Sequence, residues 1–313
     1  MELEKVYGGY FGLETQNNTE YWDNAVALNT GRNCLRQVIR YYGVKKLFAP
    51  KYTCPCVWEA INAEDCELVL YSIDSNMMPL GDISADEYVL YTNYLGVCSE
   101  NVEKMTQKYP RLIVDCSQSF FSAKKGIATF NSARKFFGVS DGAYLMSDKA
   151  LDNSALERDV SYGRTAYLMK RIELGSQAGF MDFHENEEKL CNEEIKTMSA
   201  LTRHILSGVD YESIKRVRRS NWAVLDSMLG EINEWSGRID PEDVPMAYPF
   251  IYKSDSLRHR LIENKIFVPT FWKGQKDTEY GSYFEQYLFP LPMDQRYDEN
   301  DMRFIADFIK KTI

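Results

Sequence analysis

The chain has 313 residues, with 46 acidic and 37 basic side chains, a formal net charge of −9, 44% hydrophobic and 27% charged residues. That is ordinary for a soluble globular protein, long enough for one large domain and a smaller one that together bury about 75% of the unfolded surface. The acidic balance argues against a broad nucleic-acid surface, no run approaches the roughly 18 apolar residues of a membrane span, and Met1-Glu2-Leu3-Glu4-Lys5 lacks the basic start and apolar core of a signal peptide.

Residues 25–150 alternate short apolar runs with helical periodicity, the pattern of a strand–helix–strand sheet. Asn29-Thr30-Gly31-Arg32-Asn33 leads into a helix over 31–42 with Leu35, Val38, Ile39 and Tyr42 on one face. Thr30 or Asn29 is a natural helix cap, and the same N–H groups and hydroxyl suit a phosphate; local sequence leaves both uses open. Residues 46–50 read as a strand stopped by proline, 57–62 as a helix and 66–71 as a strand. Cys54-Pro55-Cys56, ahead of that helix, is the only close pair among seven cysteines. Its spacing is not a usual zinc pattern and only His184, His204 and His259 exist to complete a site, so reduced thiols and no metal are expected. Residues 87–93 and 111–115 are further strands, and 151–170, 185–206 and 211–232 carry long helical patterns. A strand over 246–252, a helix over 256–263, a strand over 266–269 and a closing helix over 301–312 complete the chain. The expected class is α/β, a mixed, mostly parallel sheet flanked by helices in a large domain (1–210), with a smaller C-terminal α/β domain (211–313).

Two residues carry the chemistry. Arg111-Leu112-Ile113-Val114-Asp115 reads as a buried strand delivering a carboxylate at its C-terminal end, where open α/β sheets bind ligands. Twenty residues on, Ser132-Ala133-Arg134-Lys135 sets a lysine among Phe130, Phe136 and Phe137. A carboxylate for a pyridinium nitrogen and a lysine able to form an imine are what a pyridoxal phosphate site needs. Taken singly, Asp115 is equally a turn residue and Lys135 half of a solvated Lys-Arg pair; the order and spacing of the set favour the site.

That set resembles the DegT/DnrJ/StrS family of pyridoxal phosphate-dependent sugar aminotransferases, a branch of the fold-type-I enzymes. Leu28 to Leu35 looks like its first phosphate-binding turn, Pro50 to Pro55 its next substrate-side loop, and Asn93-Tyr94-Leu95-Gly96 the loop after a central strand. Asp115-Cys116-Ser117-Gln118 matches its aspartate-x-x-histidine/glutamine motif, and Ser132 with Lys135 its serine and imine-forming lysine. The resemblance implies a fold-type-I transferase using pyridoxal 5'-phosphate, with Thr30, Gly31, Arg32 and Ser132 around the phosphate. Asp115 would face the ring nitrogen, Gln118 the ring hydroxyl, and Lys135 would be the catalytic lysine. An aromatic residue, Tyr52 or Trp58, would stack on the ring. Arg218, Arg219 and Trp272 are candidates for substrate contacts, with a solvated helix face and ordinary packing as their alternatives.

By the same resemblance, the partners would be an amino-acid donor and a keto-sugar, nucleotide-linked, in polysaccharide or related sugar biosynthesis, with no nucleic acid or membrane. The protein would be a cytoplasmic homodimer. The sequence departs from the pattern at Phe130, where the family has a serine, at Asp141-Gly142-Ala143, and over 175–180, where a glycine-x-asparagine-x-arginine segment is missing. Those departures leave open a pyridoxal phosphate-dependent lyase or racemase, and a non-catalytic binding member.

Overall fold

The computed structural model describes residues 7–16, 18–274 and 279–313; Met1–Lys5, read above for a leader, lie outside them. The first strand, β1 (Val26–Leu28), feeds helix α1 (Gly31–Tyr42). The Thr30 hydroxyl accepts the Asn33 N–H and caps this helix, and Gly43 ends it with a left-handed φ of 64° that glycine adopts without strain. Strand β2 (Lys46–Pro50), helix α2 (Pro55–Asn62), strand β3 (Glu67–Tyr71) and strand β4 (Tyr88–Thr92) follow. Next come helix α3 (Ser99–Lys108), the wholly buried strand β5 (Leu112–Cys116), and strands β6 (Ala128–Asn131) and β7 (Ala143–Ser147). The seven strands form one sheet in the order β1-β7-β6-β5-β4-β2-β3. Only β7 opposes its neighbours, so the sheet is mixed and mostly parallel, as expected. Strands β6, β7 and β1 carry no separate sequence assignment above.

Beyond the sheet lie α4 (Ala166–Leu174), α5 (Phe180–Cys191), α6 (Ala200–Ser207) and α7 (Tyr211–Leu229), continued by a 3-10 turn to Ile232. Then come β8 (Tyr248–Ile251), α8 (Leu257–Glu263), α9 (Glu279–Tyr287), β9 (Leu288–Leu291) and α10 (Glu299–Thr312), with β8 and β9 paired antiparallel. One core cluster joins Tyr91 and Met105 of the sheet side to Leu225, Phe250 and Ile305 of the C-terminal part.

Three expectations need correction. The helix over 151–170 begins only at Ala166, and that over 185–206 is interrupted after Cys191. The cause is the sheet edge: β1 leaves backbone groups that must be satisfied, and 196–198 run beside it. Asn29 N–H donates to Lys196 O and Met198 N–H to Ala27 O, while Thr197 also exchanges bonds with Glu157 and Asp159. No strand forms over 266–269, where the carbonyls of Val268 and Pro269 accept from the Arg258 side chain.

Candidate active site

The site is assembled at the C-terminal ends of β5 and β6, where Asp115 pairs in register with Phe130 and Cys116 with Asn131. Asp115 is 5% exposed, and its Oδ1 accepts the Ser117 N–H at 2.8 Å. Burial pushes its carboxyl above the usual aspartate range, while the Ser117 hydrogen bond and the Lys135 ammonium act in the opposite direction. Gln118, also buried, accepts the Leu95 N–H at Oε1 (2.7 Å), but its Nε2 has no hydrogen-bond partner. A buried donor left unmade costs about 1–3 kcal/mol, so an acceptor reaching this amide would stabilise it.

The N-terminus of α1 abuts the same edge. A Cβ on Gly31 would lie 3.1 Å from Asn131 O and 3.3 Å from Ser117 Oγ, which explains a residue without a side chain there. Thr30 and the first N–H groups of α1 thus sit beside Ser117 and the end of β6. Arg32 points elsewhere: its Nη1 donates to the carbonyls of Leu190 and Cys191 and caps α5.

Lys135 closes a 3-10 turn, Ala133–Lys135, that follows Ser132 at the end of β6. The lysine is exposed, and its ammonium acts on Asp115, Cys54 and Cys56. Distant segments hold this turn. Ala133 N–H donates to Gly142 O, and the Asp141 carboxylate accepts the Ser199 N–H (2.8 Å), the Ser199 hydroxyl (2.7 Å) and the Thr202 hydroxyl. Gly142 has φ 111°, and a Cβ there would meet Thr202 at 2.9 Å, so Asp141-Gly142 is tailored to α6. Arg134 is paired with Glu187 of α5, and burial lowers its pKa. From the C-terminal part, Gln295 Nε2 donates to Phe136 O at 2.6 Å, while Gln295 Oε1 accepts the Arg218 Nε–H at 3.0 Å. The Arg218 guanidinium lies 4.6 Å from the Phe136 ring centre, also donating to Pro245 O and Met246 O. Burial brings its pKa down to about 10. A cleft of about 580 Å³ opens over Lys135, walled by Arg171, Phe180, Phe267, Pro290 and Arg296.

The remaining candidates are placed as follows. Tyr52 is buried, its hydroxyl on Phe271 O (2.6 Å) and its ring 5.0 Å from Trp272; Gln118 lines a small gap together with Tyr52 and Trp272. Trp58 donates to Pro50 O. Arg219 is committed to Asp243 O, Glu242 O and the Glu242 carboxylate. Cys54, on the loop that supplies Tyr52, is the residue there that senses both Lys135 and Asp115. Sequence reading took Cys54 as a reduced thiol in preference to a metal ligand and did not use Pro55, at the start of α2, which marks Cys54 as the helix cap. Gln295 and Asp141 left no local signal of their part in this turn.

No family model and no curated protein matches the chain. Solved structures do. A DegT DnrJ EryC1 StrS aminotransferase from Brucella abortus superposes with a TM-score of 0.64 at 12% identity, over 92% of this chain and 85% of that one. The chain has the fold of the sugar aminotransferases. A sugar aminotransferase from Micromonospora echinospora gives a TM-score of 0.59 at 13% identity, over 92% of this chain and 87% of that one. NtdA from Bacillus subtilis, solved with bound cofactor PMP, gives 0.63 at 11%, over 91% and 73%. At such identities the likeness fixes the aminotransferase fold and leaves the activity to be argued from the site.

Proposed function

We propose that this chain is a pyridoxal 5'-phosphate-dependent aminotransferase of the DegT/DnrJ/StrS type, moving an amino group from an amino-acid donor to a nucleotide-linked keto-sugar. The observation that carries it is the buried carboxylate of Asp115 beside the Lys135 ammonium, with the unpartnered Gln118 amide three residues from Asp115. The residues fit the cofactor: Asp115 for the ring nitrogen, Gln118 Nε2 for the ring oxygen, and Thr30, Gly31, the Arg32 backbone and Ser132 for the phosphate at the N-terminus of α1. When bound, pyridoxal phosphate supplies an electron sink and a carrier for the amino group. Asp115 keeps the ring nitrogen protonated. Lys135 moves the proton at the donor's Cα, from a turn that Gln295 and Asp141 hold in place. Tyr52 and Trp272 wall the gap beside Gln118, and the buried Arg218 acts as a support behind the substrate cleft, whereas Arg219 lines a separate pocket with Glu242 and Asp243.

The exposed apolar face of α4 and α5 supports a homodimer: Ile172 and Leu174 are more than two-thirds exposed, with Met169, Phe180 and Met181 beside them. Among the described residues no helix is long and apolar enough to cross a membrane. We read residues 1–210 as the cofactor-binding domain and 211–313 as the small domain, and the resemblance supports a cytoplasmic role in polysaccharide sugar synthesis. The test is the absorbance of the purified protein with added pyridoxal phosphate, wild type beside Lys135→Ala. A visible band absent from the variant and cleared by glutamate is expected. A band that amino donors leave unchanged favours a lyase or racemase, and no band in the wild type overturns the cofactor site.

A further inference from the structure

Cys54-Pro55-Cys56 opens α2 with Cys54 as its cap residue and Pro55 at the first helical position. Because Pro55 is helical, α-helix geometry sets the two cysteine Cα atoms about 5.4 Å apart, inside the range of roughly 4.4–6.8 Å over which a disulfide closes. Both thiols are half-buried and stand two residues apart at the start of α2. The charged groups around them are the Lys135 ammonium, which acts on both, the Arg32 guanidinium by Cys56, and the Asp115 carboxylate by Cys54.

The pair is polarised. The Cys56 hydrogen bond and then the Lys135 ammonium bring the Cys54 thiol down to about 6 against the opposing effect of burial, while Cys56 is pushed well above the usual thiol range by its bond to Cys54 and by burial. Four other thiols contrast with this pair: burial raises Cys66 to about 11 and Cys98 to about 12, and lifts Cys34 and Cys116 as well. A thiolate next to a protonated thiol within bonding reach is the arrangement of an attacking and a resolving cysteine.

We propose that Cys54 and Cys56 form a redox site in which Cys54 attacks a hydroperoxide and Cys56 resolves the product to an intrachain disulfide beside Lys135. The Cys54 thiolate bonds to the terminal peroxide oxygen and the O–O bond breaks, giving a sulfenic acid and an alkoxide or hydroxide that takes a proton from solvent. The Cys56 sulfur then displaces hydroxide from the Cys54 sulfur, and the proton that Cys56 gives up converts that hydroxide to water. The two thiols are oxidised by two electrons and the peroxide is reduced by two. The disulfide carries no charge, so oxidation removes the anion next to the Lys135 ammonium. The redox site stands independently of the aminotransferase reading, which governs only what oxidation does to turnover.

The test uses the reduced full-length chain at neutral pH with one equivalent of hydrogen peroxide, read by intact mass and by mapping of disulfide-linked peptides. The expected product has lost two hydrogens and links Cys54 to Cys56. In Cys56→Ser, dimedone labels Cys54 alone; in Cys54→Ser, thiol loss slows at least about tenfold, in line with the loss of the thiolate. Thermal melts of both serine variants confirm that they fold. Equal thiol loss in wild type and Cys54→Ser, a disulfide through Cys66 or Cys191, or a Cys54 sulfenic acid that persists with Cys56 present would each overturn the proposal. Because no step of this test requires pyridoxal phosphate, its failure is distinct from a failure of the absorbance test.

Discussion

Asp115 and Lys135 both stand at the C-terminal edge of the sheet, near enough for the lysine charge to act on the carboxylate, yet the chain secures them by different means. Asp115 is held locally: β5 is buried along its length, flanked by β4 and β6, and the carboxylate is oriented by the N–H two residues on. Lys135 stands on a short turn whose restraints arrive from α5, α6 and the C-terminal part through Arg134, Asp141, Phe136 and Gln295. A strand whose ladders are complete needs no further help, whereas a 3-10 turn has few bonds of its own and takes its shape from what packs around it. Changes near Asp115 should therefore act on the charge it carries, and changes remote from Lys135 should still reach the lysine.

The largest effect is expected from Lys135→Ala. The side chain is exposed, so stability should stay within about 0.5 kcal/mol of wild type. Amino transfer should fall by about 10²–10⁴-fold or more as the proton carrier is lost. Turnover that survives in a folded variant would remove Lys135 from the chemistry. Next is Asp141→Ala, which strands the Ser199 N–H and the Thr202 hydroxyl in a buried setting, leaves the Ser199 hydroxyl on Ser161, and should cost about 3 kcal/mol in urea denaturation. It should also weaken cofactor binding, because Ala133 is tied to the Gly142 carbonyl. A destabilised variant with wild-type cofactor affinity would mean that the turn does not depend on α6.

Gln295→Ala should be milder, about 2 kcal/mol, since a single amide linking the charged Arg218 to the Phe136 carbonyl is removed. Its informative readout is the split between kcat and KM. If Gln295 positions Lys135, kcat falls at a temperature where the variant stays folded; a loss of stability with unchanged kcat would reduce the bridge to packing.

The same contrast explains what was legible in the sequence. Helix α1, β2 and the carboxylate at the end of β5 show in the sequence because their signals are local: an apolar face, a proline stop, an apolar run ending in aspartate. That Asp115 and Lys135 come to the same end of the sheet was expected from the spacing of a known pattern. Gln295 and the Asp141–Thr202 bonds were not, because each joins residues far apart in the chain and nothing about the residues themselves announces the partner. The helices expected over 151–170 and 185–206 failed for a related reason: periodicity records the preference of a segment, and the unpaired edge of β1 overrode it.

The smallest expected effect tests the Asp115 side of the comparison. Burial holds its carboxyl above the ordinary range, so the folded chain binds that proton more tightly than the unfolded chain does. Stability from this group is then fully present below the unfolded aspartate pKa, about 3.9, and is lost as pH rises through the higher folded value. At neutral pH the ionised carboxylate lowers the stability of the cofactor-free protein. Asp115→Asn keeps an acceptor for the Ser117 N–H and discards the charge, so without cofactor it should be more stable than wild type at pH 7, with the gap closing on acidification. Added pyridoxal phosphate should reverse the order, since only the carboxylate gains a charged partner in the ring nitrogen. Melting curves across pH, with and without the cofactor, read both effects, and a gap that widens as the pH falls would show that burial does not govern Asp115.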